Sequence, residues 1–150
     1  MSSEPMKTLV SEDEEHDIGR KLLVFLNGCP SIPALAGRVD FEFLPESPSI
    51  MLSTIQATLK TRQYITGGYE AQYQFKLVYR TFPNDNDSRL AADETLNKMG
   101  AWAERNVASL DISPATVQSF ARTSNASLVA VYEDGSRDHQ ILMTLTYEVI

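Results

Sequence analysis

The spacing of apolar residues changes period along the chain and so divides it into elements. From Ser11 onward, Ile18, Leu22, Leu23, Phe25 and Leu26 fall on one side of a repeat of about 3.6 residues, which predicts an amphipathic helix over about 11–28. Ser11 and Glu14 have the spacing of a capping box, and the acidic run Glu12, Asp13, Glu14 and Glu15 suits the positive end of a helix dipole. Gly28 ahead of Pro30 predicts a left-handed cap that stops the helix. A second helical pattern, Ala92, Leu96, Met99 and Ala103, predicts a helix over about 88–106, with Asp93, Glu94, Lys98 and Glu104 around the rest of its surface. The polar stretch 83–88 ahead of it reads as a turn-rich breaker.

Elsewhere the period is two. Short strands are predicted at 39–44, 50–55 and 57–65, with 45–48 as a loop. At 69–82, Tyr69, Ala71, Tyr73, Phe75, Leu77 and Tyr79 alternate with polar residues, the mark of a long strand with one buried face. Gly67 and Gly68 just before it predict a tight hairpin in which both glycines take positive φ. Strands follow at 116–122, 127–133 and 138–150, the last two joined by a hairpin at Asp134-Gly135. The order is helix, strands, helix, strands, which predicts an α+β fold with two main helices packed on a largely antiparallel sheet. The final strand is apolar on both sides, with Ile141, Met143, Leu145 and Val149 on one face and Leu142 and Ile150 on the other. Such a strand is either central in its sheet or covered by a neighbouring subunit, which makes Leu142, Thr144, Thr146 and Ile150 a candidate subunit-interface strand. No internal repeat and no linker interrupts the pattern, so 1–150 reads as a single domain, with residues 1–10 expected to be flexible.

Charge and chemistry narrow the function classes. With 20 acidic and 13 basic residues the chain carries a formal charge of −7, which opposes tight binding to a phosphate backbone. No apolar run is long enough to span a bilayer, and the first residues lack the basic and apolar regions of a secretion signal, so synthesis in a reducing cytoplasm is expected and no membrane role is. His16, in an acidic helix start, and His139, beside a hairpin, read as solvated surface residues; Cys29 reads as a small packed hydrophobe. These three have no metal-site spacing, and no nucleophile, base or phosphate-binding loop stands out. The expectation is a protein without catalytic residues, metal or cofactor. The tyrosines of the long strand lack the basic neighbours of a base-stacking platform and read as core. The acidic residues Glu12, Asp13, Glu14 and Glu15 read as a solvated, ionised patch.

Three segments, FEFLPESPSIMLSTI, YITGGYEAQYQFKLVYRTF and NDNDSRLAADETLNKMGAWAE, lie in order between Arg38 and about Glu104. Together they resemble the minor capsid or tail terminator family of long-tailed bacteriophages. The resemblance implies a structural virion protein at the head-tail junction: α+β subunits that form a six-fold ring on the tail tube, stop its polymerisation and join it to the head-completion or connector protein, with DNA passing through the lumen without specific binding. On that reading the patch at Glu12, Asp13, Glu14 and Glu15 would face the lumen or the docking side, and subunits would meet edge to edge along exposed strands. A head-completion or connector subunit is the alternative within virion assembly. From another class, a small module that binds a ligand in a tyrosine-rich pocket remains open.

Overall fold

The computed structural model describes residues 8–33, 36–42, 48–82 and 86–150. In chain order the elements are β1 (Thr8–Leu9), α1 (Glu12–Leu26), β2 (Val39–Phe41), β3 (Ser49–Thr54), β4 (Leu59–Gln63), β5 (Tyr69–Thr81), α2 (Asn86–Arg105), a 3₁₀ turn at Val107–Ser109, β6 (Thr116–Arg122), β7 (Ser127–Val131) and β8 (Arg137–Val149). The fold is α+β: two helices packed on one face of an eight-stranded, mostly antiparallel sheet.

The sheet is organised by β5 and β8, which pair antiparallel along their whole lengths, from Tyr69 opposite Val149 to Thr81 opposite Arg137. Strict alternation puts Ala71, Tyr73, Phe75, Leu77 and Tyr79 of β5 on the helix side, where all are buried. Across the ladder they meet Tyr147, Leu145, Met143, Ile141 and His139 of β8. Two short strands flank each long one. Beside β5 lie β3 and β4, and beside β8 lie β6 and β7; β2 then pairs parallel with β3, and β1 antiparallel with β4.

Each helix buries the stripe its period predicts. Ala92, Leu96, Met99 and Ala103 of α2 are all fully buried, as are Ile18, Leu22 and Leu26 of α1. The helices meet where Phe25 lies 5.0 Å from the Trp102 ring, and Phe25 also touches the edge of Phe120 on β6. Both helices come close to the sheet at a glycine: a Cβ on Gly19 would lie 2.8 Å from Tyr73 Oη, and one on Gly100 would lie 2.6 Å from Arg122 Cδ.

Several expectations are corrected. Residues 1–7 lie outside the described region, but Thr8–Leu9 is not a loose end, because it forms β1 against Lys60 and Leu59. Of the strand expected at 39–44, Val39–Phe41 forms and Glu42 lies outside it, while 43 and 44 fall outside the described residues. The central helix begins at Asn86, inside the predicted breaker. Gly28 takes no left-handed cap: α1 ends at Asn27 in right-handed geometry, because the Asn27 side chain bridges Leu23 O of the helix and both the N–H and O of Val39. Only Gly67 of the glycine pair has positive φ, +96°. The turn has three residues, closed by Tyr64 N donating to Gly68 O, and Gly68 is required instead because a Cβ there would sit 2.5 Å from Val149 O.

The expected absence of a repeat is also overturned, at the level of structure. β4 and β7, β5 and β8, and the turn glycines Gly67 and Gly135 are each 68 residues apart, and β3 lines up with β6 on the same offset. Each half is a helix, two short strands, a three-residue glycine turn and a 13-residue strand, related by a pseudo-twofold through the β5–β8 ladder. Tyr64 and Tyr132, Gln72 and Gln140, Leu77 and Leu145, and Tyr79 and Tyr147 match across the offset, but most positions do not. The halves differ at their outer edges: β1 and β2 cover the first, and no described strand covers the second.

Leu96 is fully buried, so Leu96→Ala should lower unfolding free energy by about 2–5 kcal/mol in urea titrations. Gly68→Ala should also destabilise, since the obstruction is backbone. An unchanged melting temperature for Gly68→Ala would contradict the close approach of Val149.

Candidate functional site

The predicted acidic patch divides in two. Ser11 Oγ accepts from Glu14 N at 3.1 Å as an N-cap should. The Glu14 carboxylate, however, does not return to the helix start. It accepts from Tyr147 Oη at 2.7 Å and from Tyr69 Oη, tying α1 to both central strands. Burial, and then the carboxylate beside them, raise both phenols well above the ordinary tyrosine range, so they remain donors. Glu15 Oε1 accepts from Thr58 N at 2.6 Å, just ahead of β4. Lys60 caps this corner with its Nζ 4.2 Å above the Tyr69 ring. Of the four acidic residues, Glu12 and Asp13 are exposed and Glu14 and Glu15 are half-buried.

The predicted interface strand is interior. β8 is hydrogen-bonded to β5 on one side and to β6 and β7 on the other, so its backbone offers no free edge. Its apolar character on both sides reflects the central position. Leu142, Thr144 and Thr146 point to the face away from the helices and are half-buried there, while Ile150 lies beyond the strand and is 90% exposed. That face carries Glu70, Gln72, Gln74, Lys76 and the buried Val78 from β5 and Gln140, Leu142, Thr144, Thr146 and Glu148 from β8; no described helix covers it. At one end, Arg80 Nε and Nη2 donate to Asp138 at 2.7 and 2.8 Å, and Tyr132 Oη donates to the same carboxylate at 2.7 Å. Burial opposes ionisation of Asp138, but the Arg80 and Tyr132 hydrogen bonds outweigh it and hold the carboxyl below its usual range.

His139 is not a surface residue. It is 6% exposed, and its Nδ1 lies 2.8 Å from Asp93 Oδ1, linking β8 to α2. Its alternation with Ile141 and Met143 was the available signal. Glu104 is likewise turned inward, accepting from Arg122 N at 2.9 Å and Nε at 3.0 Å. Cys29 is buried as expected, and burial pushes its thiol up. His16 is exposed, beside an open groove of about 370 Å³ lined also by Arg20, Leu23 and Phe41. A second groove of about 280 Å³, with Asp17, Lys21, Val24 and Asp111, lies nearby. Among the described residues, no three His, Cys, Asp or Glu side chains are grouped to hold a metal ion, and no described helix is long and apolar enough to cross a membrane. The surfaces that stand out are the amide- and hydroxyl-rich sheet face and the sheet edges.

In comparisons with known proteins, no family model matches the chain and no curated protein matches its sequence.

Glu14→Gln should cost about 1.5–3 kcal/mol by weakening a charge-assisted acceptor shared by two phenols, whereas Glu12→Gln should fall within about 0.5 kcal/mol of wild type. Equal melting temperatures for the two variants would dismiss the inward role of Glu14. Because folding lowers the Asp138 pKa, its contribution should be complete above the unfolded aspartate value of about 3.9 and disappear as pH falls through the folded value. Asp138→Asn should therefore flatten the acid limb of stability against pH, measured by urea unfolding between about pH 5 and 2.

Proposed function

We propose that the chain is a structural virion protein, a tail terminator that forms a ring on the tail tube, stops its polymerisation and joins the tail to the head connector. The reading rests on the resemblance of residues 38–104 to that family. In the fold, the observation that supports it most is where chemistry-bearing side chains go: Glu14, Glu15, Asp93, Glu104 and His139 are spent on tying helices and strands together. Among the described residues, no helix covers the other sheet face and no strand lies outside β6 or β7, which leaves these surfaces for contact. That is the arrangement of a subunit that works through surfaces. A ring requires heterologous contacts between two different patches, and the two outer edges of this sheet are different.

On this reading the partners are other copies of the chain in a six-fold ring, the tube protein and the head-completion or connector protein. DNA crosses the lumen without specific binding, and no enzyme activity or cofactor is involved. Repulsion from the net charge of −7 favours such passage. The acidic docking or lumen patch is reduced to Glu12 and Asp13, since Glu14 and Glu15 are engaged inside the subunit. A head-completion subunit would draw on the same surfaces and differ in which ring it binds.

Purified protein mixed with tail tubes assembled from the matching tube protein should appear in negative-stain micrographs as rings or as caps that stop elongation. Tubes that continue to grow uncapped, with the added protein monomeric, would rule the terminator reading out.

A further inference from the structure

Of the six asparagines in the chain, Asn27 alone is followed by glycine. That pair is the sequence in which an unrestrained chain loses side-chain ammonia fastest, because glycine has no side chain to obstruct attack by its own amide nitrogen on the asparagine carbonyl carbon. Asn27 and Gly28 are both exposed, so water reaches them.

In this fold Asn27 is also a joint. It ends α1, and its side chain reaches the sheet: Nδ2 donates to Leu23 O at 2.9 Å and to Val39 O at 3.1 Å, and Oδ1 accepts from Val39 N at 2.8 Å. One amide thus satisfies both the N–H and the carbonyl of Val39, which is 2% exposed and opens β2 at the edge of the sheet. The same bonds keep the reacting groups apart. Ring closure needs Gly28 N to swing onto Asn27 Cγ. Here the Asn27 side chain is tied to Leu23 and Val39, its ψ is −10°, and Gly28 N–H is donated to Phe25 O at 3.0 Å.

We propose that Asn27-Gly28 is a latent self-modification site, shielded while the joint between α1 and β2 is closed and unlatching β2 from α1 once it reacts. When the joint opens, Gly28 N bonds to Asn27 Cγ, the Cγ–Nδ2 bond breaks, and Nδ2 leaves as ammonia with the Gly28 amide proton. Water then opens the cyclic imide. Addition at Cγ gives aspartate, and addition at the Asn27 backbone carbonyl gives isoaspartate. No oxidant or metal takes part.

The product cannot rebuild the joint. A carboxylate has no N–H to offer, so Leu23 O and Val39 O lose their shared donor and face an anion. That anion also sits at the negative end of the α1 dipole, whose last turn holds no basic residue. β2 keeps its short parallel pairing with β3 but loses its tie to the helix, and Val39 presents the bare backbone groups that sheet edges normally cover.

The test keeps the full-length protein in warm, mildly alkaline buffer, one sample native and one in urea above the unfolding transition, and follows Asn27 by peptide mass spectrometry. Conversion to aspartate and isoaspartate should be at least about tenfold slower in the native sample, since the joint must open first. In Asn27→Asp, hydrogen exchange should show Val39–Phe41 losing protection while the β5–β8 ladder keeps its own. The fraction converted in urea, refolded and separated by its extra negative charge, gives the same reading without a variant. Equal conversion rates in the two samples would overturn the shielding. Wild-type protection of Val39–Phe41 in the converted protein would overturn the unlatching.

Discussion

The antiparallel ladder between β5 and β8 governs the rest of the molecule. Two 13-residue strands pair from end to end, and every other element is placed relative to them. Because side chains alternate, a slip of one residue would turn Tyr73, Phe75, Leu77, Ile141, Met143 and Leu145 out of the core together, so the register is tightly held. The ladder presents a single long apolar face, and two helices are needed to cover it. Among the described residues no helix covers the opposite face of the ladder.

Attachment of the helices consumes the polar residues that would otherwise look functional. Glu14 fastens α1 to both central strands through two phenols, and Asp93 and Glu104 fasten α2 to His139 and Arg122. Each is a hydrogen bond at a partly or fully buried position, where loss of one partner leaves the other unsatisfied. The residues of β5 and β8 on the other sheet face are of a different kind, amides and hydroxyls at its middle with Glu70, Lys76, Arg80, Asp138 and Glu148 among them.

Periodicity made the two helices, the long strand β5 and the α+β class legible. Ala92, Leu96, Met99 and Ala103, read from spacing alone, are all buried, and 116–122 coincides with β6. What spacing does not carry is pairing. The alternation of β8 said that both its sides were apolar, but only the ladder places it at the centre with β5, β6 and β7 around it. The repeat stayed hidden because a strand needs only alternation, which many residue choices satisfy, so two halves can share a backbone plan with few matching positions. The acidic run misled for a related reason: consecutive residues on a helix point in different directions, so Glu14 and Glu15 face inward while Glu12 and Asp13 face water.

Asymmetry between the halves has a consequence for assembly. A fully symmetric duplicate would carry two equivalent edges, and contacts between like edges generate twofold pairs that end after two subunits. Among the described strands β1 and β2 have been added to one half only, so one outer edge is made by β1 and β2 and the other by β6 and β7. Unlike edges join head to tail, and head-to-tail contacts continue until they close or extend indefinitely. The two added strands thus make the outer edges unlike, which is what the heterologous contacts of the ring proposed here require.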